Sequence, residues 1–174
     1  ETMLKLAGIL LLMTGCIGLG IDKVTEEKRR IRELREIRRI VTRIQNEMIY
    51  GKRALPEICL LFSGCMEEPY RSAFAGIFRK LEENDGASLD DIWKEQMEKC
   101  MQNLPLQREE KNILRNLPEY LGTMDEKQQA ADIGQSLDLI AAHIGQAEAE
   151  YGNRSRVIMS ISVMAGILIV ILLL

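Results

Sequence analysis

The chain is poor in the residues from which active sites are most often built. It holds one histidine, one tryptophan, three phenylalanines and four prolines in 174 residues. His143 would have to serve any Ser-His-Asp or Cys-His mechanism with no local signature marking its partners. It lies beside an apolar helical stripe and reads as structural. No glycine-rich phosphate loop is present, since LEENDGAS has one glycine and no lysine after it. Cys16, Cys59, Cys65 and Cys100 do not make a disulfide framework, and no second pair or histidine completes a metal site around Cys59 and Cys65. Buried apolar thiols are expected instead. The acidic neighbours Glu109-Glu110 and Asp90-Asp91 read as solvated helix turns. No enzyme, metal or cofactor is expected.

What the chain has is two long apolar ends. Residues 4–21 (LKLAGILLLMTGCIGLGI) carry only Lys5 as a charge, and residues 157–174 (VIMSISVMAGILIVILLL) carry none. Crossing the hydrocarbon core takes roughly 20 apolar residues, with about 17 as a lower limit. A cleaved signal peptide is the alternative for the first run, but its basic region is one lysine and no clean small-x-small site follows. A lipid-anchor signal is disfavoured for the second, which lacks the polar spacer. Lys23, Lys28, Arg29, Arg30 and Arg32 follow the first run, and Arg154 and Arg156 precede the second. By the positive-inside rule both flanks are cytoplasmic. The expected organisation is a transmembrane helix at 4–21, a cytoplasmic helical bundle at 22–156 and a transmembrane helix at 157–174. Gly8, Gly15, Gly18 and Gly20, with Ser162 and Gly166, offer small surfaces for helix packing. Neither run has an ionisable residue near its middle, which argues against an ion pathway.

Between the ends the periodicity is helical throughout. Val24, Ile31, Leu34, Ile37, Ile40, Val41, Ile44 and Met48 make one stripe. Gly51 is expected as its left-handed C-cap, and Pro56 suits the first turn of the next helix. Short helices are expected at 57–63, closed by Gly64, and at 70–81. Another follows Ser88, with Asp91 in a capping-box-like position. A fifth runs through Ile113, Leu114 and Leu117, kinked before Pro118 and ending at Gly122. Thr123 and Asp125 compete to cap the last, whose stripe is Ala130, Ile133, Leu137, Ile140, Ala141 and Ile144. No segment alternates as a strand. The expected fold is all-α, a six-helix bundle with two long helices and four short ones.

Charge is segregated. Residues 22–53 hold eleven Lys/Arg against six Asp/Glu, whereas residues 57–150 hold nine against nineteen. A basic segment suits an anionic membrane surface, and an acidic body suits docking from the cytoplasm, with Asp90, Asp91 and Glu95 as candidate partner contacts. Nucleic acid is excluded: in KRRIRELREIRR the arginines are interleaved with acids and an apolar stripe, and the domain is acidic.

MLKLAGILLL (Met3 to Leu12), EMIYGKRALPE (Glu47 to Glu57) and EYLGTMDEKQQ (Glu119 to Gln129), with the apolar finish, resemble the stage III sporulation protein AB family. The resemblance covers essentially the whole chain, and it departs at Arg53-Ala54, where Thr-Pro is expected. It implies a component of the channel between mother cell and forespore, in the cell membrane with its domain on the mother-cell side. It also implies a cytoplasmic fold similar to the type II secretion F protein. The expected partners are a cytoplasmic ATPase, stage III sporulation protein AA, other membrane proteins of the channel, and the bilayer. The family's motif falls on Glu47, Tyr50, Gly51 and Leu55, and on Leu121, Gly122, Asp125 and Gln128. Most of these read as structural: Gly51 and Gly122 as helix ends, Asp125 as an N-cap, Tyr50 and Leu121 as core. The alternative reading is a membrane-anchored regulatory adaptor binding a signalling protein. Gene neighbourhood separates the two.

Overall fold

A computed structural model describes the backbone of residues 2–83, 86–121 and 126–173. Side chains are described from Val24 onward, except at 84–85, 120–127, 129 and scattered positions beyond 158. Among the described residues there are seven helices and no strand. They are α1 (Thr2–Ile49), α2 (Leu55–Cys65), α3 (Tyr70–Glu83), α4 (Leu89–Met101), α5 (Arg108–Arg115), α6 (Leu117–Leu121) and α7 (Glu126–Leu173).

The seventh helix corrects the expectation of six. The expected fifth helix is divided at Asn116 into α5 and α6. Pro118 has no N–H to give the carbonyl of Leu114, four residues earlier. That carbonyl instead accepts from the indole N–H of Trp93 at 2.8 Å. A backbone acceptor lost by the helix is thus recovered by a side chain from α4.

The chain divides into two compact units, residues 1–31 with 145–174 and residues 32–144. In the first, α1 and α7 pair antiparallel. Arg30, 5% exposed, donates to Glu150 at 3.0 Å and to Glu27 at 3.3 Å. Arg154 returns to Glu27 at 3.3 Å, and the Lys28 ammonium sits 5.5 Å from the Tyr151 ring centre. A buried guanidinium costs heavily unless carboxylates surround it, and these do. Bonds from Gln146 and Arg30 hold the Glu150 carboxyl below the usual carboxylate range.

The second unit is the helical body. Leu34, Ile37, Ile40, Val41 and Ile44 of α1 are buried, as their spacing predicts. Leu55, Ile58, Cys59 and Phe62 of α2, Phe74 and Ile77 of α3, Trp93 and Met97 of α4, and Ile133 and Ile140 of α7 join them. The few aromatics are concentrated in this core. Phe62 meets Phe74 edge-on at 5.0 Å, and Phe74 meets Trp93 at 5.8 Å. Such pairs contribute about 0.5–1.5 kcal/mol beyond their buried area.

Local details depart from the expected ones in two places and agree in a third. Gly64 lies inside α2, which continues to Cys65. The left-handed residue after α1 is Lys52, with φ of 49°, not Gly51. Glycine is needed at 51 because a Cβ there would lie 2.7 Å from the Glu47 carbonyl oxygen. At α4 the Ser88 hydroxyl accepts from the Asp91 N–H at 3.1 Å, as expected, and also donates to the Asp91 carboxylate at 2.6 Å.

The first expected span, 4–21, lies outside the residues whose side chains are described, and so does most of the second. The backbone is helical through both up to Leu173. Among the described residues no helix is long and apolar enough to cross a membrane.

Candidate interaction surface

The expected site residues fall in different settings. Glu47 sits in the last turn of α1 and pairs with Arg53 at 2.8 Å, closing the turn. The Arg53 guanidinium thus ties the turn's two ends. Leu55 is buried at the start of α2. Tyr50 is not core: it is 82% exposed. It follows the helix end, where the chain turns away to admit Gly51, so its ring has no wall to pack on. Gln128 is exposed and donates to Asp132 at 2.9 Å. Gly122 and Asp125 lie outside the described residues, with Thr123, and so does the side chain of Leu121.

The acidic candidates are occupied within the fold. Glu95 receives Lys80 at 2.5 Å and Lys99 at 2.7 Å, and these two bonds pull its carboxyl down to about 2. Asp90 binds Lys94 at 2.7 Å, and Lys94 continues to Glu119 at 3.1 Å. Donating to the Asp90 and Glu119 carboxylates holds the Lys94 ammonium above its ordinary value. Asp91 holds the Ser88 hydroxyl. These carboxylates brace helices, which leaves them poorly suited to recruit a cationic partner.

His143 stands 3.8 Å from Glu110, which is fully buried and not on a solvated turn as expected. The other Glu110 oxygen accepts from the Gln107 N–H at 2.7 Å and so caps α5. That carboxylate is committed to the helix end. The hydroxyl groups of Thr42, Ser63 and Ser136 donate to carbonyls within their own helices, and that of Ser72 to Glu68. Burial pushes the Cys59 and Cys100 thiols up to about 12, so neither supplies thiolate. Cys65, expected to be buried, is exposed at the end of α2. Among the described residues no three His, Cys, Asp or Glu side chains converge as a metal site.

The surface feature missed by periodicity is the outer face of α2. Leu55, Ile58, Cys59 and Phe62 face inward, while Glu57, Leu60, Leu61 and Gly64, at i, i+3, i+4 and i+7, lie outside. Leu60 is 52% exposed. A Cβ on Gly64 would meet nothing within 4 Å, so the helix backbone is bare there. Arg43 of α1 lies instead on the inner side of α2, its guanidinium 5.7 Å from the Phe62 ring centre. The signal was present: LPEICLLFSGC contains one charge in eleven residues, more apolar surface than one buried stripe uses.

The described residues thus define an all-helical protein whose ionic groups join helix to helix and whose α2 leaves apolar side chains uncovered. The model of the stage III sporulation protein AB family matches residues 5–174, and the chain belongs to that family. It is 24% identical over 171 residues to stage III sporulation protein AB of Bacillus subtilis (strain 168), covering 98% of this chain and 99% of that protein. A solved structure of stage III sporulation protein AB shares the fold, with a TM-score of 0.63 at 22% identity, over 71% of this chain and 97% of the other.

Proposed function

We propose that this chain is a non-enzymatic membrane platform component of the endospore-formation channel, docking a cytoplasmic ATPase. The ATPase is stage III sporulation protein AA. Family membership supports the role in sporulation. The apolar composition of 4–21 and 157–174, with arginines and lysines on their inner flanks, supports anchoring at both ends with the domain in the cytoplasm. The fold that the family resemblance implies, similar to the F protein of type II secretion, would suit a platform, although fold likeness by itself does not assign function.

The observation that carries the docking reading is the uncovered face of α2. Exposed apolar side chains on a helix mark interaction surface more reliably than charges that already have partners. The uncovered face supports Leu60 and Leu61 as the proposed ATPase contact, in preference to Asp90, Asp91 and Glu95. A photocrosslinking residue at position 61 in sporulating cells tests this. Capture of the ATPase is expected, with capture from position 95 much weaker. Capture of a signalling protein in its place would favour the regulatory adaptor and overturn the platform.

A further inference from the structure

Helix α5 has two faces of different chemistry. Glu110 and Leu114 are buried. Arg108, Lys111, Asn112 and Arg115, at i, i+3, i+4 and i+7, form the other face. With Glu98, Lys99, Met101 and Gln102 at the end of α4 they line a cavity of about 460 Å³. Of the nine Lys/Arg between residues 57 and 150, four line this cavity, whereas of the nineteen Asp/Glu only one does. The strongest concentration of positive charge in the acidic part of the chain therefore surrounds one hollow.

We propose that this cavity binds a small molecule carrying a diphosphate group. Four cations line the cavity, and Glu95 and Glu98 offset two of them, Lys99 and Arg115. Each phosphoryl group carries roughly −1.5 to −2 at neutral pH, so two of them match all four cations when Lys99 and Arg115 turn from their carboxylates to the ligand. Arg115 touches Glu98 only at 3.6 Å, and Lys99 is bonded to Glu95. Arg108 and Lys111 have no ion pair among the described residues. The forked guanidiniums of Arg108 and Arg115 suit phosphoryl oxygens, and Lys111 adds a point charge. Gln102 and Asn112 supply amide donors, and buried Met101 is the apolar floor. No aromatic ring lines the cavity, so a nucleobase has nothing to stack on. The ligand is read by its phosphates. The volume is within the range of small-molecule sites, roughly 300–1,000 Å³.

The test is calorimetric titration of the full chain in nanodiscs with sodium pyrophosphate, against sulfate at matched ionic strength. One site is expected, at least about tenfold tighter for pyrophosphate. Arg108→Gln with Lys111→Gln should weaken it by about tenfold or more. Glu98→Gln should tighten it, because it removes the opposing charge, and a purely structural role predicts no gain. Helix content by circular dichroism should be unchanged in all variants. A parallel titration with geranyl diphosphate separates the sources. Equal affinity assigns the free diphosphate, and tighter binding assigns a diphosphate ester. Pyrophosphate binding no tighter than sulfate, or unchanged in the double variant, overturns the proposal. So does preferential binding of a polyglutamate peptide, which would make this face a protein contact.

Discussion

Trp93 donates its indole N–H to the carbonyl of Leu114 because Pro118 cannot. Replacing Trp93 with Phe leaves that acceptor buried and unpaired, at a cost of about 1–3 kcal/mol. Pro118→Ala restores an N–H four residues on. The penalty for Trp93→Phe should therefore shrink in the Pro118→Ala background when both are measured by chemical denaturation. Equal penalties in the two backgrounds would mean that the indole bond is incidental. A sequence reader sees the proline and expects a kink, as here. What stays hidden is which side chain occupies the freed carbonyl, because Trp93 lies 21 residues away on another helix. Tyr50 shows the opposite failure. Its type suggests burial, but its place beyond the helix end leaves it in solvent.

At the scale of elements, the α1–α2 turn divides its demands between two residues. Gly51 admits the Glu47 carbonyl, and Lys52 carries the left-handed backbone. A non-glycine residue in that conformation costs roughly 1–2 kcal/mol. Lys52→Gly should thus be neutral or stabilising, while Gly51→Ala should destabilise by about 1 kcal/mol or more through overpacking. The reverse order of thermal midpoints would contradict this division. Between α3 and α4, Lys80 and Lys99 depress the Glu95 carboxyl from 4.5 to about 2. A carboxyl depressed in the folded state contributes stability above its unfolded value and loses it as pH falls toward the folded one. Glu95→Gln should therefore flatten the fall in thermal midpoint between pH 4.5 and 2. High salt should flatten it too, because the pair is exposed. The helices themselves were largely legible. Leu34, Ile37, Ile40, Val41 and Ile44 of α1, Phe74 and Ile77 of α3, Trp93 and Met97 of α4, and Ile133 and Ile140 of α7 are buried as their spacing dictates, whereas Phe78, Leu81 and Leu137 are half-buried. The partners of exposed acids were not, because an ion pair between helices depends on packing geometry that periodicity does not encode.

For the whole molecule, the proposed account assigns work to surface and none to chemistry. The ends, the basic neck of sequence and the acidic body are all plain in the composition. The uncovered face of α2 is less so, because its leucines look like any other core leucines until the packing of α1 and α3 shows which are used. The direct measurement is the affinity of the full chain in nanodiscs for the purified ATPase, compared with Leu60→Asp/Leu61→Asp and with Asp90→Asn/Glu95→Gln. The account predicts at least about tenfold weaker binding for the leucine variant and little change for the acidic one. Equal affinity of the leucine variant and the unsubstituted chain, with helix content intact, would contradict it.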